Sequence, residues 1–591
     1  MNKKHIFLII FCGVLAYGNT LFNGFVADDS AAITDNSFVH SWVNFHKIFD
    51  PRSYLVDFNA MHAKSFLKEN PLGSGEYSYR PVVTISHFID YAIWGENPFG
   101  YHLTKLILHI ANSVLLYFLL FIIFKNSVLS FFSALFFIAH PIHTEVVNTA
   151  TFRGDLFAAF FYISAFIFFI KYKDYTGIKK AVFYFLSLVS YFLGLFSKEV
   201  AITLPVVILL YDNFFSPDEN KKIFPVLLKT KYLGYILVSV FYLFIYFFVF
   251  SNPARPYLNY NSGNFYTGFL TQVKIFAFYV EALFIPHNGN ITSLPMFYCP
   301  GASSLKDPQV FVSLCLFILI ISAAFKFFKE LKIVSFCILW FLVTLAPVSG
   351  IIPLYIKAAQ RYLYIPSIGF CILLGFLTQL FIDFVKSKKI KYITSPGILV
   401  VGPILLFYIS TDVPQNVAYK NDYIFNQNII DNFPLDSSEH YLRLGHLYLK
   451  DKMPVQALVN YNIAISFNPH NHFFYLSLGR LYYELKDKDR ALLEFKKALK
   501  LKPDSAQAYI NIGAIYGEKG DHKKAISYFK KALKIDPYFC EAYGNLASAY
   551  ANICQFEKAF NILNKAIKAF PGYRPFQDSL EILEKQRQPK G

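Results

Sequence analysis

Two adjacent carboxylates, Asp28 and Asp29, follow the first apolar run of the chain within Phe25-Val26-Ala27-Asp28-Asp29. Acidic residues contribute little to membrane orientation, so anchoring does not account for them. At a low-dielectric boundary, one carboxylate could take the proton of an alcohol acceptor while its neighbour positions that group. Taken alone, such a pair is more often a solvated helix end than a catalytic site.

Further ionisable groups recur at the ends of the apolar runs. Ser78-Tyr79-Arg80-Pro81 precedes the second run, and His140-Pro141-Ile142-His143-Thr144-Glu145 with Arg153-Gly154-Asp155 forms the next turn. Ser197-Lys198-Glu199 caps another pair, and Gln360-Arg361-Tyr362-Leu363-Tyr364-Ile365-Pro366-Ser367 opens a later run. Residues 1–410 hold only five arginines: Arg52, Arg80, Arg153, Arg255 and Arg361. A guanidinium is a planar fork that grips two phosphate oxygens at once. Arg80, Arg153, Arg255 and Arg361, with Lys198, are therefore candidates to bind a lipid phosphate, whereas Arg52 reads as well as a solvated loop charge. His140, His143, Glu145, Asp155 and Glu199 are candidates to hydrogen-bond a sugar or acceptor. His140, His143 and Glu145 could also ligate a divalent metal, but they lie in a proline-containing turn and not on an H-E-x-x-H helix. No cofactor is called for.

Membrane helices must position these groups. Of 591 residues, 55% are hydrophobic, 19% aromatic and 16% charged, well below the ~25% charge of soluble domains. Eleven apolar runs, the shorter ones borrowing flanking residues, are long enough to cross a bilayer: residues 6–22, 103–124, 128–139, 156–170, 181–196, 201–211, 233–250, 310–325, 333–348, 362–384 and 393–409. Lysines gather on every second loop, at 3–4, 125, 171–180, 221–231, 326–332 and 386–391. The positive-inside rule then puts the N-terminus in the cytoplasm and the tail outside. Residues 268–286, with Gln272, Lys274 and Glu281, read as a helix along or dipping into the outer face. All five arginines fall on the outer side. The net charge of +17 is accounted for by this topology and does not require nucleic acid. The seven cysteines show neither a disulfide framework nor zinc spacing.

Charge density doubles beyond the break near Asp412, and a period appears. Pro469, Pro503, Pro537 and Pro571 are spaced by 34 residues, and Tyr441, Tyr475, Tyr509 and Tyr543 keep step with them, as do Ala457, Ala491, Ala525 and Ala559. This is the tetratricopeptide pattern of paired helices. It predicts four repeats (438–471, 472–505, 506–539, 540–573) after a linker at 411–437, with a capping helix and tail at 574–591. Asn511 and Asn545 share one repeat position, where an amide can pair with a peptide backbone or serve helix packing.

With these motifs in this order, the chain resembles the transmembrane and tetratricopeptide-repeat-containing protein family, membrane glycosyltransferases of the C-type fold. The resemblance rests on Asp28-Asp29, Tyr79-Arg80-Pro81, the His140–Glu145 turn with Arg153-Gly154-Asp155, Ser197-Lys198-Glu199, Arg361–Ser367 and the repeats. Ala27 stands where a bulky aromatic is common, and Gln360 where a glutamate is common. The resemblance implies an all-α fold: a polytopic membrane domain over residues 1–410, with about eleven transmembrane helices and a large first outer loop at 23–101, followed by the α-solenoid. It also implies transfer of a sugar, mannose in animal members, from a polyprenyl-phosphate donor to Ser/Thr of an exported protein, which the solenoid groove could engage. Asp28, backed by Asp29, would be the base of an inverting displacement, and the cations would hold the departing phosphate. The rival readings are a non-catalytic membrane scaffold and a lipid-linked sugar transporter. Richness in Lys, Ile, Asn and Phe points to an AT-rich bacterial genome and hence the cytoplasmic membrane, with the endoplasmic reticulum as the alternative, where Asn290-Ile291-Thr292 would be a glycosylation acceptor.

Overall fold

The computed structural model describes residues 2–36, 38–49, 79–215, 230–250, 264–286, 301–302, 304–350, 358–388, 396–434, 437–570 and 574–587. Arg52, Arg255 and Asn290-Ile291-Thr292 lie outside them. The described residues form helices and turns without a strand, in two compact units that divide the sequence between Phe425 and Asn426.

In the first unit, α1 (Lys3–Tyr17) starts at Asn2, whose side chain accepts the Lys4 N–H, as an N-cap should. Helix α2 (Pro81–Trp94) begins with proline at its first position and has a buried face that includes His87 and Asp90. It occupies part of what the sequence reads as a large loop, so Arg80 opens this extra helix and not a span. Helices α3 (Pro98–Phe124) and α4 (Ser127–Ala139) carry asparagine caps at Asn97 and Asn126. Pro141 cannot continue α4, and the chain bends by 50° into the short α5 (Thr144–Asn148). Then come α6 (Arg153–Asp174), α7 (Gly177–Leu195), α8 (Leu204–Phe215), α9 (Thr230–Phe244) and α10 (Phe265–Phe284). Helices α11 (Pro308–Lys326), α12 (Lys332–Leu345), α13 (Ser367–Ser387) and α14 (Pro396–Ala418) complete the bundle.

Each of the eleven apolar runs is helical over most of its described residues. Among the described residues, eight helices are long and apolar enough to cross a membrane, and the bent α4–α5 pair makes a ninth. The other two, α8 and the Lys332–Val348 segment, are shorter. Helix α10 is not among the spans; its Lys274 pairs with Asp307 at 3.3 Å. Neighbours in sequence pack most closely, above all α6 on α7, and α4 packs on α13. The span α14 continues through Asp412 to Ala418, and α15 (Asp422–Asn432) follows, so residues 411–437 are largely helical.

The second unit stacks helix pairs: α16 (Ser438–Lys450) with α17 (Pro454–Phe467), α18 (His472–Glu484) with α19 (Lys488–Leu501), α20 (Ala506–Glu518) with α21 (His522–Ile535), and α22 (Cys540–Asn552) with α23 (Phe556–Ala569). A last helix, α24 (Arg574–Arg587), covers the end through Phe576 and Leu583. The repeated glycine is a matter of space: a Cβ on Gly479 would lie 2.6 Å from the Phe495 ring, and on Gly513 2.7 Å from the Phe529 ring.

Candidate active site

Ala27 turns the chain into the acidic pair. Its φ of 55° is left-handed, which costs a non-glycine residue about 1–2 kcal/mol, and its N–H donates to Asp422 Oδ1 at 2.8 Å. Asp29 is fully buried. Its Oδ1 accepts from Thr151 N–H at 2.8 Å and Thr151 Oγ1 at 3.0 Å, and its Oδ2 from Ala150 N–H at 3.0 Å and Val26 N–H at 3.3 Å. Burial raises its carboxyl pKa, although Lys105 and the backbone donors pull the other way. So saturated a carboxylate acts as an anchor of the chain around it. Asp28 is half-buried.

The segment that Asp29 grips is the turn Ala150–Phe152 at the mouth of α6. The same turn is held from its carbonyl side: Lys105 Nζ donates to Thr149 O, and Arg153 Nε to Ala150 O at 3.2 Å. Arg153 is wholly buried, pairing through Nη1 with Asp90 at 2.5 Å and donating to Ser86 Oγ at 3.2 Å. Its guanidinium lies over Tyr101. These contacts make it a counter-ion of Asp90 and a tie of α6 to α2, while its Nη2 is buried without a partner among the described residues.

Three further pairs converge beside this turn. Arg80 Nη2 donates to Glu199 Oε1 and Oε2 at 3.2 and 3.1 Å. Lys198 Nζ meets both Asp155 oxygens at 2.6 Å. Arg361 pairs with Glu145 through Nη1, and its backbone N–H reaches Glu145 Oε2 at 2.8 Å. Gly154 permits the approach, since a Cβ there would lie 3.1 Å from Ser197 O and 3.9 Å from Arg80 Cδ. Arg361 also stacks on Phe152, 4.1 Å from the ring centre, and both Arg361 and Lys198 lie over Tyr362.

Three cations thus face three carboxylates. Burial lowers the Lys198 pKa, with Arg80 and Arg361 adding to the effect and Asp155 and Glu199 opposing it. Burial would raise Glu199, but Arg80 and Lys198 outweigh it and hold the carboxyl below its usual range. Arg80 and Arg361 are raised: burial disfavours their charge, and Glu199 and Glu145 respectively more than compensate. Arg80 and Glu199 form the open rim, 24% and 37% exposed, against 5% and 7% for Lys198 and Asp155. Arg80 also has capacity to spare, because Glu199 uses only Nη2, and Nε is buried without a partner among the described residues.

The two histidines are elsewhere engaged. His140 accepts Ile142 N–H on Nδ1 at 3.1 Å, and its Nε2 donates to Leu283 O at 3.0 Å. His143 donates from Nδ1 to Phe137 O at 2.9 Å and meets Ser367 Oγ through Nε2 at 3.0 Å. With both nitrogens occupied and both rings fully buried, they brace the bend at Pro141 and offer no free ring nitrogen to a sugar or acceptor in this structure. Glu145, Asp155 and Glu199 do gather, as counter-ions to the cations. No group of three His, Cys, Asp or Glu residues among those described could hold a metal ion.

Sequence reasoning missed Asp90, Lys105 and Asp412. Asp412 is buried within α14 and accepts from Tyr17 OH at 3.3 Å and Thr144 Oγ1 at 3.2 Å. A charge inside an apolar run is itself a pointer to function; Lys105, within the run 103–124, carried that signal, whereas Asp412 lies just beyond the run 393–409 and is drawn into the bundle only because α14 extends to Ala418. In the tail, Asn511 and Asn545 occupy equivalent half-buried positions on α20 and α22, and Asn511 Oδ1 accepts from Gln507 at 3.0 Å.

Family models described as a tetratricopeptide repeat match residues 506–539 and 541–573, and one described as a TPR repeat matches 479–520. The tail is a tetratricopeptide-repeat solenoid. Curated proteins that parts of this chain resemble are protein O-mannosyl-transferases. The chain is 32% identical to the human protein O-mannosyl-transferase TMTC1 over 35% of its own length and 23% of that protein. It is 23% identical to a Caenorhabditis elegans protein O-mannosyl-transferase over 78% of this chain and 62% of the relative. The matched parts thus span less than two thirds of these relatives' lengths. Of solved structures, that of MamA is 24% identical, covering 27% of this chain and 88% of its own, with a TM-score of 0.23. The protein is an all-α integral membrane protein ending in a repeat solenoid.

Proposed function

We propose that the protein transfers mannose from a polyprenyl-phosphate donor to Ser/Thr hydroxyls of exported protein segments, at the outer mouth of its membrane bundle. The observation that carries this is the turn at residues 150–152. Asp29 fixes it beside the acidic pair, and its Phe152 supports Arg361 of the cation cluster. The fold thereby links a carboxylate for the acceptor proton with cations for a departing phosphate. The kinship with protein O-mannosyl-transferases supports the sugar and the acceptor class.

In this reading Asp28 takes the acceptor proton while Asp29 holds the loop. The hydroxyl oxygen attacks the anomeric carbon, the bond to phosphate breaks, and the configuration inverts. Arg80 is the first contact for the phosphate, since it can offer Nε without surrendering Glu199. Lys198 and Arg361, held by Asp155 and Glu145, supply fixed positive potential behind it. In this reading the mouth and the solenoid lie outside the cytoplasm, in the periplasm for a bacterial membrane or the lumen for the endoplasmic reticulum, and the lysines on every second loop support that orientation. The test is to incubate the purified full chain with polyprenyl-phosphate mannose and Ser/Thr peptides, following mannosyl-peptide by mass spectrometry. Formation of product with wild type, but not with Asp28→Asn, supports the reading. Donor binding without transfer by wild type to any peptide would favour a transporter.

A further inference from the structure

The solenoid segregates charge between its two layers. The second helices of repeats two to four, α19, α21 and α23, carry 13 Lys or Arg and 3 acids. The first helices of the same repeats, α18, α20 and α22, carry 1 basic residue and 3 acids. First helices pack on one another between repeats one and two and between repeats three and four, and no second-helix pair packs as closely, which makes the first helices the inner layer; the basic layer is the outer one.

The basic residues are in register. Arg490, Lys524 and Lys558 form one row at the 34-residue period, Lys497, Lys531 and Lys565 a second, and Lys500, Lys534 and Lys568 a third, and all nine are exposed. Helix α21 has five lysines and no acid in 14 residues. Ordinary helix chemistry explains part of this. The third row lies in last turns, where a cation suits the helix dipole, and Arg490, Lys524 and Lys497 pair with Asp487, Asp521 and Glu494. It does not explain Lys496 and Lys565, which are exposed and have no ion pair among the described residues, and only in part Lys530 and Lys531, equally without an ion pair there, whose ammoniums lie over Tyr550 and over Tyr509 and Tyr528.

We propose that this outer face docks on the anionic headgroups of the bilayer that the protein's own first unit spans. The array is broad and built almost wholly of lysine, a point charge suited to diffuse phosphate more than to one shaped ligand. The chain passes from the span α14 through α15 into the first repeat, so the tail is tethered at the membrane and meets it at high effective concentration. The first repeat, nearest that tether, has an uncharged second helix, α17; the cations begin where the tether's hold weakens with distance along the chain.

The test uses the full chain in nanodiscs of phosphatidylcholine alone or with about one third phosphatidylglycerol, reading amine acylation of individual lysines by mass spectrometry. Anionic discs should slow Lys496, Lys530, Lys531, Lys534 and Lys565 by at least about threefold relative to neutral discs, and high salt should remove the difference, as for lysines near an anionic surface. Lys519, on the first-helix side, should not change. In the variant Lys530→Glu, Lys531→Glu, Lys534→Glu, with helix content checked by circular dichroism, the protection of Lys496 and Lys565 should disappear. Equal rates in the two discs overturn the proposal. So does protection that appears only on adding an acidic peptide such as polyglutamate, which would make the face a protein-docking surface.

Discussion

The mouth of the membrane bundle and the outer face of the solenoid are both rich in cations, yet they handle them in opposite ways. At the mouth, Arg80, Lys198 and Arg361 each face a carboxylate, and the cluster sums to neutrality. On the solenoid, rows of lysine stand in solvent with few acids among them. Burial explains the difference. A desolvated charge is tolerated only when paired, whereas exposed like charges about 10 Å apart are screened by water and salt. Pairing at the mouth therefore says little about ligands by itself; the informative features are the donors left over, Arg80 Nε and Arg153 Nη2. On the solenoid the imbalance itself is the signal.

The largest effect expected separates the two carboxylates of the acidic pair. Asp28→Asn should lower mannosyl transfer by roughly 10²–10⁴-fold, the size of a general-base contribution, with unchanged thermal stability. Asp29→Asn should instead cost about 1–3 kcal/mol of stability, since an amide NH₂ would oppose donors already in place. Loss of transfer in Asp29→Asn with normal melting, and full activity in Asp28→Asn, would reverse these roles.

Next comes the buried pair. Asp155→Asn strands the Lys198 ammonium and should destabilise by roughly 3–5 kcal/mol, and adding Lys198→Met should recover much of that in thermal unfolding of the detergent-solubilised protein. On the solenoid, Lys534→Ala should change stability by less than about 0.5 kcal/mol. If Asp155→Asn is equally mild, the contrast between the two regions fails.

Smaller again is the rim. Arg80→Ala should weaken polyprenyl-phosphate binding by about 1.5–3 kcal/mol, the worth of a charged hydrogen bond, and Arg80→Lys by less. Direct titration of the lipid donor decides it, and wild-type affinity in both variants would move the phosphate site away from Arg80.

The smallest effect is a pH dependence. Glu199 has a folded pKa below its ordinary 4.5, so its contribution to stability is present above that value and is lost as pH falls through the folded pKa. Asp29, raised above 3.8, contributes in the opposite sense: its contribution is present below that value and is lost as pH rises through the folded pKa. Glu199→Gln should therefore flatten the acid limb of melting temperature against pH, while the alkaline limb, where Lys198 with its lowered pKa gains stability as pH rises, should keep its slope.

The repeats were legible because their information is local: tyrosine, glycine, alanine and proline recur at one period, and each repeat folds on its neighbour. The spans were legible from apolar length. The cation cluster was legible as a set of residues but not as a set of partners. Arg80 and Glu199 lie 119 residues apart, and Arg361 and Glu145 lie 216 apart, and no spacing rule connects them. His140 and His143 misled because a polar residue at a turn looks the same in sequence whether it faces solvent or fills a satisfied interior. Asp90 was hidden because α2 reads as loop.

Residues 149–153 carry a burden out of proportion to their number. Asp29 and Lys105 clasp this stretch from two sides, Phe152 underlies Arg361, and Arg153 draws in Asp90. A shift of one peptide there displaces the acidic pair and the cation cluster together. If the protein has the proposed activity, substitutions at Ala150, Thr151 or Phe152 should therefore move kcat and KM in concert.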